Sequence, residues 1–379
     1  MKPIYLDYHA TTPLDPRVFS EMKFFLLNKF GNAASIDHVY GNEASLAVKK
    51  ARIQISKLIK SDSSEIIFNS GATESDNTAI FGIANYFKEK GNHIITTKIE
   101  HKAILDTCKQ LEKQGFEVTY LNVDKFGSIN LDQLSKSITK KTILISVMMA
   151  NNEVGTIQPI KEIGKIAKNK GITFHSDVAQ AFGHIPIDVR ELNLDLMSIS
   201  GHKIYAPKGI GVLYVNTKTK IHPLIYGGGH ERGMRSGTLN VPSIVALGKA
   251  AEIAEIEMKD LSIKYRSMIT KLYDELQKSI NIELNGHPSN RLAHNLNIFI
   301  KGVDSKALIN EVKNDIAISS GSACTTTEVK PSHVIMAMGY DAERAYSSIR
   351  IGIGRFTTNE DIKKTINVIK NAVIKLRNL

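Results

Sequence analysis

The chain has 379 residues, a formal net charge of +11, two cysteines and a hydrophobic fraction of 42%. This length favours two or three domains, or one large domain with a smaller one, and the composition is that of a soluble globular protein. No run of about 18 apolar residues is present, and the N-terminus lacks the apolar stretch of a signal peptide, so neither a membrane span nor export is expected. Two cysteines fit a reducing, cytoplasmic setting and argue against a disulfide framework.

The positive charge is compatible with a contact to RNA or to an acidic protein. The lysines, however, are spread over predicted helix surfaces, and no basic block with interleaved aromatic residues stands out. We therefore interpret most of the charge as ordinary surface charge, and direct nucleic-acid binding is not expected.

Strand-like and helix-like stretches alternate from about residue 41 to residue 240, which predicts an α/β domain with a mostly parallel sheet covered on both faces. The predicted strands are residues 65–69, 93–98, 117–123, 142–149, 172–175, 194–199 and 211–215. The predicted helices between them include residues 73–90, 102–114 and 160–168.

Residues 243–280 have the pattern of one long helix, of the kind that bridges domains or breaks within. The predicted elements after it are strands 295–300, 317–319 and 348–353 and helices 305–313 and 359–379. They indicate a smaller α+β domain. We expect a large α/β domain over residues 14–258 and a small domain formed by residues 1–13 and 259–379.

Lys203 lies in the run SGHKIYAPKGIG, residues 200–211, directly after the apolar stretch 195–199. A lysine among small and hydrogen-bonding residues at a strand end could form a Schiff base with pyridoxal phosphate, which serves carbanion chemistry as an electron sink. Such a cofactor needs a phosphate cradle, an anion that faces the pyridine nitrogen, and a reacting substrate group.

The run SGATES, residues 70–75, follows a predicted strand and opens a predicted helix. Unpaired backbone N–H groups at a helix start bind anions, and the Thr73 hydroxyl could add a further donor. Taken alone, the run is equally typical of an ordinary helix cap.

Asp177 follows the predicted strand 172–175, at the edge where α/β sheets bind ligands. Its carboxylate could face the pyridine nitrogen, or it could cap a helix. Gln180, one helical turn further on, could reach the ring hydroxyl. His101 also follows a strand and could stack on the cofactor and move protons, although it could be an ordinary loop residue, and Asn152 could belong only to a turn.

The two cysteines lie in different contexts. Cys108 belongs to a helical pattern and is expected to be buried or half-buried. Cys324 lies in the Gly/Ser/Thr-rich run 319–327, which predicts a flexible loop. A loop thiol can attack where its thiolate is favoured, although it can also be passive.

Two further runs stand out, GGGHERGMRSGT at residues 227–238 and SSIRIGIGRFTT at residues 347–358. The first suits contact with a phosphate or a partner, and an arginine of the second could bind a substrate carboxylate in bidentate fashion. Both are also compatible with turn glycines and surface arginines.

Taken together and in this order, these motifs resemble the cysteine desulfurases, in particular the group that serves iron–sulfur cluster assembly. The match extends from LDY at residues 6–8 to RFTT at residues 355–358. The runs that are most specific to the family are residues 70–77, 200–211, 227–238 and 319–324. The resemblance implies a pyridoxal-phosphate-dependent transferase of fold type I, like aspartate aminotransferase, that acts as a homodimer.

The resemblance also implies a role for each matching residue, and no metal site. Lys203 would bind the cofactor aldehyde and take the substrate α-proton, His101 would stack on the ring and manage thiol protons, and Cys324 would accept the sulfur. The residues implied in binding the cofactor are Ala72, Thr73, Asn152, Asp177, Gln180, Ser200, His202, Lys203 and Thr238, with Thr238 reaching the phosphate in the partner subunit. The residues implied in binding the substrate carboxylate are Asn32 and Arg350.

The activity implied is removal of sulfur from L-cysteine, which gives L-alanine and a persulfide on Cys324. The persulfide would pass to an acceptor protein for iron–sulfur cluster assembly, tRNA thiolation, or both. His9 departs from the family, since close relatives usually carry a smaller residue there. The chain also stops at Leu379, where housekeeping members usually continue with a tail that docks the cluster scaffold, so the acceptor stays open.

Two alternatives differ in class. One is a selenocysteine lyase or another pyridoxal phosphate lyase of the same fold; Cys324 and its loop favour desulfuration of cysteine over it. The other is a non-catalytic protein that binds RNA or pyridoxal phosphate through the basic surface. No appended RNA-binding module is visible, and the full set of catalytic positions is present.

Overall fold

The computed structural model describes residues 2–320 and 330–378. The strands within these ranges are β1 (Ile4–Tyr5), β2 (Ile66–Asn69), β3 (His93–Thr97), β4 (Glu117–Leu121), β5 (Thr142–Ser146), β6 (Thr173–Asp177), β7 (Leu196–Ser200), β8 (Gly211–Val215), β9 (Glu283–Leu284), β10 (Asn295–Phe299), β11 (Ile316–Ala317) and β12 (Ser348–Gly352). The α-helices are α1 (Pro16–Leu27), α2 (Val39–Ile59), α3 (Ala72–Phe87), α4 (Lys102–Glu112), α5 (Leu131–Ser137), α6 (Ile160–Lys170), α7 (Val241–Ile280), α8 (Ser305–Val312), α9 (His333–Ala337), α10 (Ala342–Tyr346) and α11 (Asn359–Arg377).

The larger sheet has seven strands in the order β2-β8-β7-β6-β5-β3-β4. Strand β8 is antiparallel to both of its neighbours, and the other pairs are parallel. Strands β3, β5 and β7 are buried along their whole length, because helices cover both faces of the sheet. The α/β class and the mostly parallel sheet predicted from the sequence are confirmed.

Neighbouring residues of each central strand point to opposite faces of this sheet, as the pleat requires. Ile95 and Ile145 belong to one apolar cluster, whereas Ile94 and Leu144 belong to the cluster on the other face. Continuous β-branched and leucine runs in the sequence therefore serve both faces at once. Packing on both faces fixes the central strands side by side, so that their carboxyl ends lie in one row. The candidate site lies at this row.

Helix α7 runs unbroken for 40 residues and joins two apolar clusters. Its first half, up to Ile253, packs in the cluster of the large sheet, and its second half, from Tyr265, packs in a separate cluster. That second cluster lies around the antiparallel sheet β12-β10-β9. Of the two possibilities predicted for this helix, bridging is correct and a break is not.

The N-terminal strand β1 pairs in parallel with β11, although the two are far apart in the chain. Leu6 accordingly packs in the second apolar cluster, whereas Val18 packs in the first. The predicted domain boundaries after residues 13 and 258 fall between the members of these two clusters. They stay a proposal.

The sequence pattern predicts no element for the stretches that form α1 and α2. Their periodicity is blurred because apolar side chains occur on the exposed face as well as the buried one. Phe24, Leu27 and Leu46 are exposed, while Phe25 and Val48 are buried. No helix in the described parts of the chain is both long enough and apolar enough to cross a membrane.

Candidate active site

A cavity of about 520 Å³ opens at the carboxyl ends of the central strands. Ten of the residues predicted for the site line it: Ala72, Thr73, His101, Asn152, Asp177, Gln180, Ser200, His202, Lys203 and Arg350. A larger groove of about 730 Å³ is lined by Thr173, at the opposite end of β6, and by none of the predicted residues. Because ligands of α/β sheets bind at the carboxyl ends of the strands, the smaller cavity is the candidate site.

Lys203 lies in a 3₁₀ turn, Gly201–Lys203, that follows β7 directly. Its Nζ donates hydrogen bonds to the carbonyl oxygens of His9, at 2.5 Å, and Ala10, at 2.8 Å. Burial lowers the pKa of this amine to about 8, and the Arg350 charge acts in the same direction. Part of the amine is therefore neutral near physiological pH, as a nucleophile or a base requires.

Helix α3 begins without a side-chain cap. Gly71 is its N-cap residue, with φ of 148°, in a region that L side chains rarely adopt. The Ser70 amide donates to Glu74 Oε2 at 2.9 Å, whereas no described side chain caps the helix, so the alternative of an ordinary side-chain cap is wrong. A Cβ at Gly211 would lie 2.5 Å from Gly71 Cα, so two glycines let β8 approach this turn. The 16-residue helix thus opens on the cavity with backbone N–H groups that favour an anion.

Asp177 ends β6 and is buried at the floor of the cavity. Its Oδ1 accepts from the Ala179 amide at 2.8 Å, yet burial raises the pKa of this carboxyl. Burial also raises the pKa of Asp76 and that of Glu100, the latter to about 8, and both carboxyls interact electrostatically with Asp177. The raised pKa values mean that Asp76, Glu100 and Asp177 tend to hold protons instead of forming three neighbouring negative charges. A cation beside Asp177 would favour the ionised form of its carboxyl.

His101 caps helix α4, since its Nδ1 accepts from the Ala103 amide at 3.1 Å. In the neutral ring the proton is therefore on Nε2. Burial lowers the pKa of this imidazole, and the nearby Asp177 partly opposes the effect. His101 is thus a neutral proton donor that also lines the cavity.

Arg350 lies in the middle of β12 and is buried. Its guanidinium pairs with Asp7 at 2.8 Å and donates to the Asn152 carbonyl oxygen at 3.0 Å. Its Nε has no hydrogen-bond partner among the described residues. A buried guanidinium with a donor to spare is suited to an anionic group in the cavity.

The chain matches the model of the class-V aminotransferases over residues 4–365. Over its whole length it is 51% identical to the cysteine desulfurase IscS of Rickettsia massiliae (strain Mtu5) and 52% identical to that of Rickettsia bellii (strain OSU 85-389), with 92% of each relative covered. The chain belongs to the cysteine desulfurases. That family of class-V aminotransferases depends on pyridoxal phosphate.

Solved structures agree with this assignment. The fold superposes on a NifS-like protein with a TM-score of 0.92, at 37% identity and with all of both chains covered. It also superposes on SspA in complex with cysteine, with a TM-score of 0.82 at 36% identity, covering 94% of this chain and 100% of that one. The predicted family and type I fold are confirmed.

Cys324 lies outside the residues that the structure describes, but the segments on either side of it are anchored at the cavity of this desulfurase. Ser319 exchanges backbone hydrogen bonds with Arg350, at 2.7 and 3.2 Å. On the other side, the Ser332 hydroxyl donates to the Glu153 carboxylate at 2.5 Å, and His333 Nε2 donates to the Glu100 carbonyl oxygen at 3.0 Å. Both segments therefore meet residues that line the cavity or adjoin its lining.

Two predicted site residues do not line the cavity. Asn32 is exposed, and its Oδ1 accepts from the Ala34 amide at 3.0 Å. Thr238 is exposed just before helix α7. Their roles stay predictions. His9, in contrast, lines the cavity and contacts Lys203, although the sequence indicates only that it departs from the family pattern.

The glycine-rich run 227–238 is tied to the large sheet through Glu231, which is buried and has a positive φ of 50°. The Glu231 carboxylate accepts two hydrogen bonds from Arg52, one of them at 2.8 Å, and another from the Phe68 amide at 2.8 Å. Arg235 of the same run pairs with Glu74, in the first turn of α3, at 2.9 Å. The run is thereby held beside the start of α3.

Replacing Arg52 with alanine is expected to lower the free energy of unfolding by about 3 kcal/mol, because it leaves the Glu231 carboxylate buried without its cation. The control is Lys57→Ala, which removes a pair with Glu255 in which the lysine is 68% exposed and should cost less than about 1 kcal/mol. Urea unfolding followed by circular dichroism measures both. Equal losses for the two variants would contradict the role given to Arg52.

Proposed function

We propose that this cysteine desulfurase binds pyridoxal phosphate in the cavity beside Lys203 and uses it to convert L-cysteine to L-alanine. One observation carries the proposal: a buried lysine amine, an uncapped helix start and a buried carboxylate line the same cavity. These are the three groups that the cofactor needs for its aldehyde, its phosphate and its ring nitrogen.

The residues present fit the cofactor. The N–H groups at the start of α3 would hold the phosphate, together with Ser200 and His202, while Asp177 would face the pyridine nitrogen. A protonated ring nitrogen would compensate the raised pKa of the Asp177 carboxyl by favouring its charged form. When bound, the cofactor supplies an electron sink for the negative charge that develops at the substrate α-carbon.

Lys203 is the proposed base for the substrate α-proton. A pKa of about 8 keeps part of the amine neutral, and the carbonyl oxygens of His9 and Ala10 hold the ammonium that forms when the proton is taken. His101 presents its Nε2 proton to the same cavity and is the proposed donor and acceptor for the thiol protons. Arg350, whose Nε has no hydrogen-bond partner in the part of the chain that the structure describes, is proposed to bind the substrate carboxylate, and Asn32 to assist it.

Cys324 is proposed to take the sulfur. Its thiolate would form a bond to the substrate sulfur while the carbon–sulfur bond breaks and its electron pair stays with the three-carbon fragment, which becomes alanine after protonation. Cys324 follows Ser319 by five residues, so the chain can carry it at most about 17 Å from that anchor. Ser319 pairs with Arg350, which lines the cavity, so this anchor of the segment lies beside the proposed substrate site.

A homodimer is proposed, in which Thr238 reaches the site of the partner subunit. Its support is a set of exposed apolar side chains between the end of α1 and the start of α2. Leu27 and Phe30 are 64% and 69% exposed, and Ile36 is 77% exposed. Exposed apolar surface of this kind marks an interaction site.

The proposed acceptor of the sulfur is a protein of iron–sulfur cluster assembly or of tRNA thiolation, in the cytoplasm.

The activity is tested by adding L-cysteine to the purified protein loaded with pyridoxal phosphate. We expect an absorbance band at roughly 390–420 nm for the bound cofactor, alanine in proportion to the cysteine consumed, and sulfide when a thiol reductant is present. Absence of alanine would contradict the proposal. Alanine formed from L-selenocysteine alone would favour the lyase alternative, and salt-sensitive tRNA binding without the cofactor band would favour the non-catalytic one.

A further inference from the structure

Three imidazoles form a stack directly behind the cavity. The ring centroids of His9 and His294 lie 4.6 Å apart at 25°, and those of His294 and His184 lie 4.1 Å apart at 26°. His9 and His294 are buried, and His184 is half-buried. The proposed reaction uses none of the three rings, although they come from three separate segments and meet beside Lys203.

The hydrogen bonds of His9 determine which ring nitrogen carries the proton. Gln180 Nε2 donates to the His9 carbonyl oxygen at 3.0 Å, so Gln180 Oε1 is the acceptor for His9 Nδ1 at 2.9 Å. His9 Nε2 then accepts from Asn295 Nδ2 at 3.1 Å. Arg291 fixes that amide by donating to Asn295 Oδ1 at 2.7 Å. The arrangement requires a neutral His9 with its proton on Nδ1.

The same residue holds Lys203. The His9 carbonyl oxygen accepts from Lys203 Nζ at 2.5 Å, and His184 Nε2 donates to the Lys203 carbonyl oxygen at 3.2 Å. The Lys203 amine is thus bound to the backbone of His9, at one end of the stack, and the Lys203 backbone is bound to the ring of His184, at the other end. His294 lies between the two ends and contacts both rings.

We propose that His9 is a positioning residue: its ring fixes the Gln180 amide, its carbonyl oxygen fixes the Lys203 amine, and the stack on His294 keeps it in place. This rests on the proposed function in that Gln180 and Lys203 serve the cofactor. The charged or titratable groups that face His9 are Arg350, Lys203, His184 and His294, and burial among them lowers the pKa of the His9 imidazole. A second proton on His9 would place two donors, His9 Nε2 and Asn295 Nδ2, against each other.

Two substitutions separate the hydrogen bonds from the stack. His9→Phe keeps an aromatic ring against His294 but removes both ring nitrogens. His9→Asn loses the stack but retains an N–H donor near the position of Nδ1, within reach of Gln180 Oε1. His222→Phe is the matched control, because His222 is exposed and packs edge-on against Tyr86 outside the cavity.

The first measurement uses the full chain without cofactor and follows reductive methylation of Lys203 by mass spectrometry as a function of pH. In the parent the midpoint is expected near the pKa of about 8. His9→Phe should lower it by roughly half a pH unit or more, because displaced carbonyl acceptors no longer favour the ammonium form. The charged groups that face Lys203 are Arg350, Asp177 and Asp7, and all of them are unchanged in the variants.

The second measurement uses the protein loaded with pyridoxal phosphate. His9→Phe should lower kcat for L-cysteine roughly fivefold to tenfold at unchanged KM, and His9→Asn should recover most of it. Variants that match the parent in both measurements would overturn the proposal. Equal loss in His9→Asn and His9→Phe would also overturn it, because the variant that retains a donor to Gln180 would then do no better than the variant that lacks one. If the parent itself makes no alanine, the proposed function fails, and the methylation midpoints still decide the role of His9.

Discussion

Replacing Lys203 with alanine is expected to lower alanine formation from L-cysteine roughly a thousandfold or more. The amine is the proposed site of cofactor attachment and the proposed base, and the substitution removes both functions. The fold should persist, since among the described residues Lys203 Nζ bonds only to the carbonyl oxygens of His9 and Ala10 beside an open cavity. The measurement is the initial rate of alanine formation at saturating L-cysteine, with a thermal melt to confirm folding.

The matched control for this variant is Lys218→Ala, which removes an exposed lysine from the turn after β8. It should retain the parent rate. Added methylamine should partly restore proton transfer in Lys203→Ala if loss of the amine is the cause, because a small free amine can enter the cavity. A variant that keeps more than a tenth of the parent rate would refute the role of Lys203 as the base.

The pH dependence of the parent follows from the lowered pKa of Lys203. The neutral amine is the reactive form, so the proposed proton transfer should gain rate as pH rises through about 8 and level off above it. The lowered pKa of Lys203 also affects the stability of the fold. Because the folded chain binds this proton more weakly than the unfolded chain does, Lys203 should lower the free energy of unfolding as pH falls below the pKa that the lysine has in the unfolded chain.

Much of the fold and of the site follows from local sequence. The residues at strand ends, such as Asp177 and Ser200, are readable because a parallel sheet aligns the carboxyl ends of its strands and periodicity marks where a strand stops. Helices α1 and α2 are not evident from the sequence because exposed apolar side chains, Phe24 and Leu27 in α1 and Leu46 in α2, blur the contrast between the buried and the exposed face.

The remaining features depend on contacts between residues far apart in the chain. Asp7 pairs with Arg350 across 343 positions, and His9 meets Gln180 across 171, so no spacing rule connects them. His9 was noticed as an unusual residue, but its position behind Lys203 arises only when β1 pairs with β11. Asn32 and Thr238 lie on the exposed surface, and the proposed role of Thr238 needs a second subunit, which local sequence patterns do not describe.

Replacing Cys324 with serine is expected to lower alanine formation from L-cysteine roughly a hundredfold or more, and to abolish the persulfide, because a hydroxyl cannot replace the thiolate as the attacking group. The cofactor absorbance and its change on addition of L-cysteine should persist, since Lys203 and the cavity are intact. Mass spectrometry of the protein alkylated after brief exposure to L-cysteine detects the persulfide and identifies the residue that carries it.

Cys108→Ala is the matched control, because Cys108 is the other cysteine of the chain and is fully buried in an apolar cluster. Burial raises the pKa of its thiol to about 12, which leaves almost no thiolate near neutral pH. This variant should keep the parent rate at a stability cost of about 1 kcal/mol. A persulfide on Cys108, or a parent rate in Cys324→Ser, would assign the sulfur transfer elsewhere. Loss of the rate in Cys324→Ser with the spectral change retained would separate sulfur transfer from the proton chemistry of Lys203.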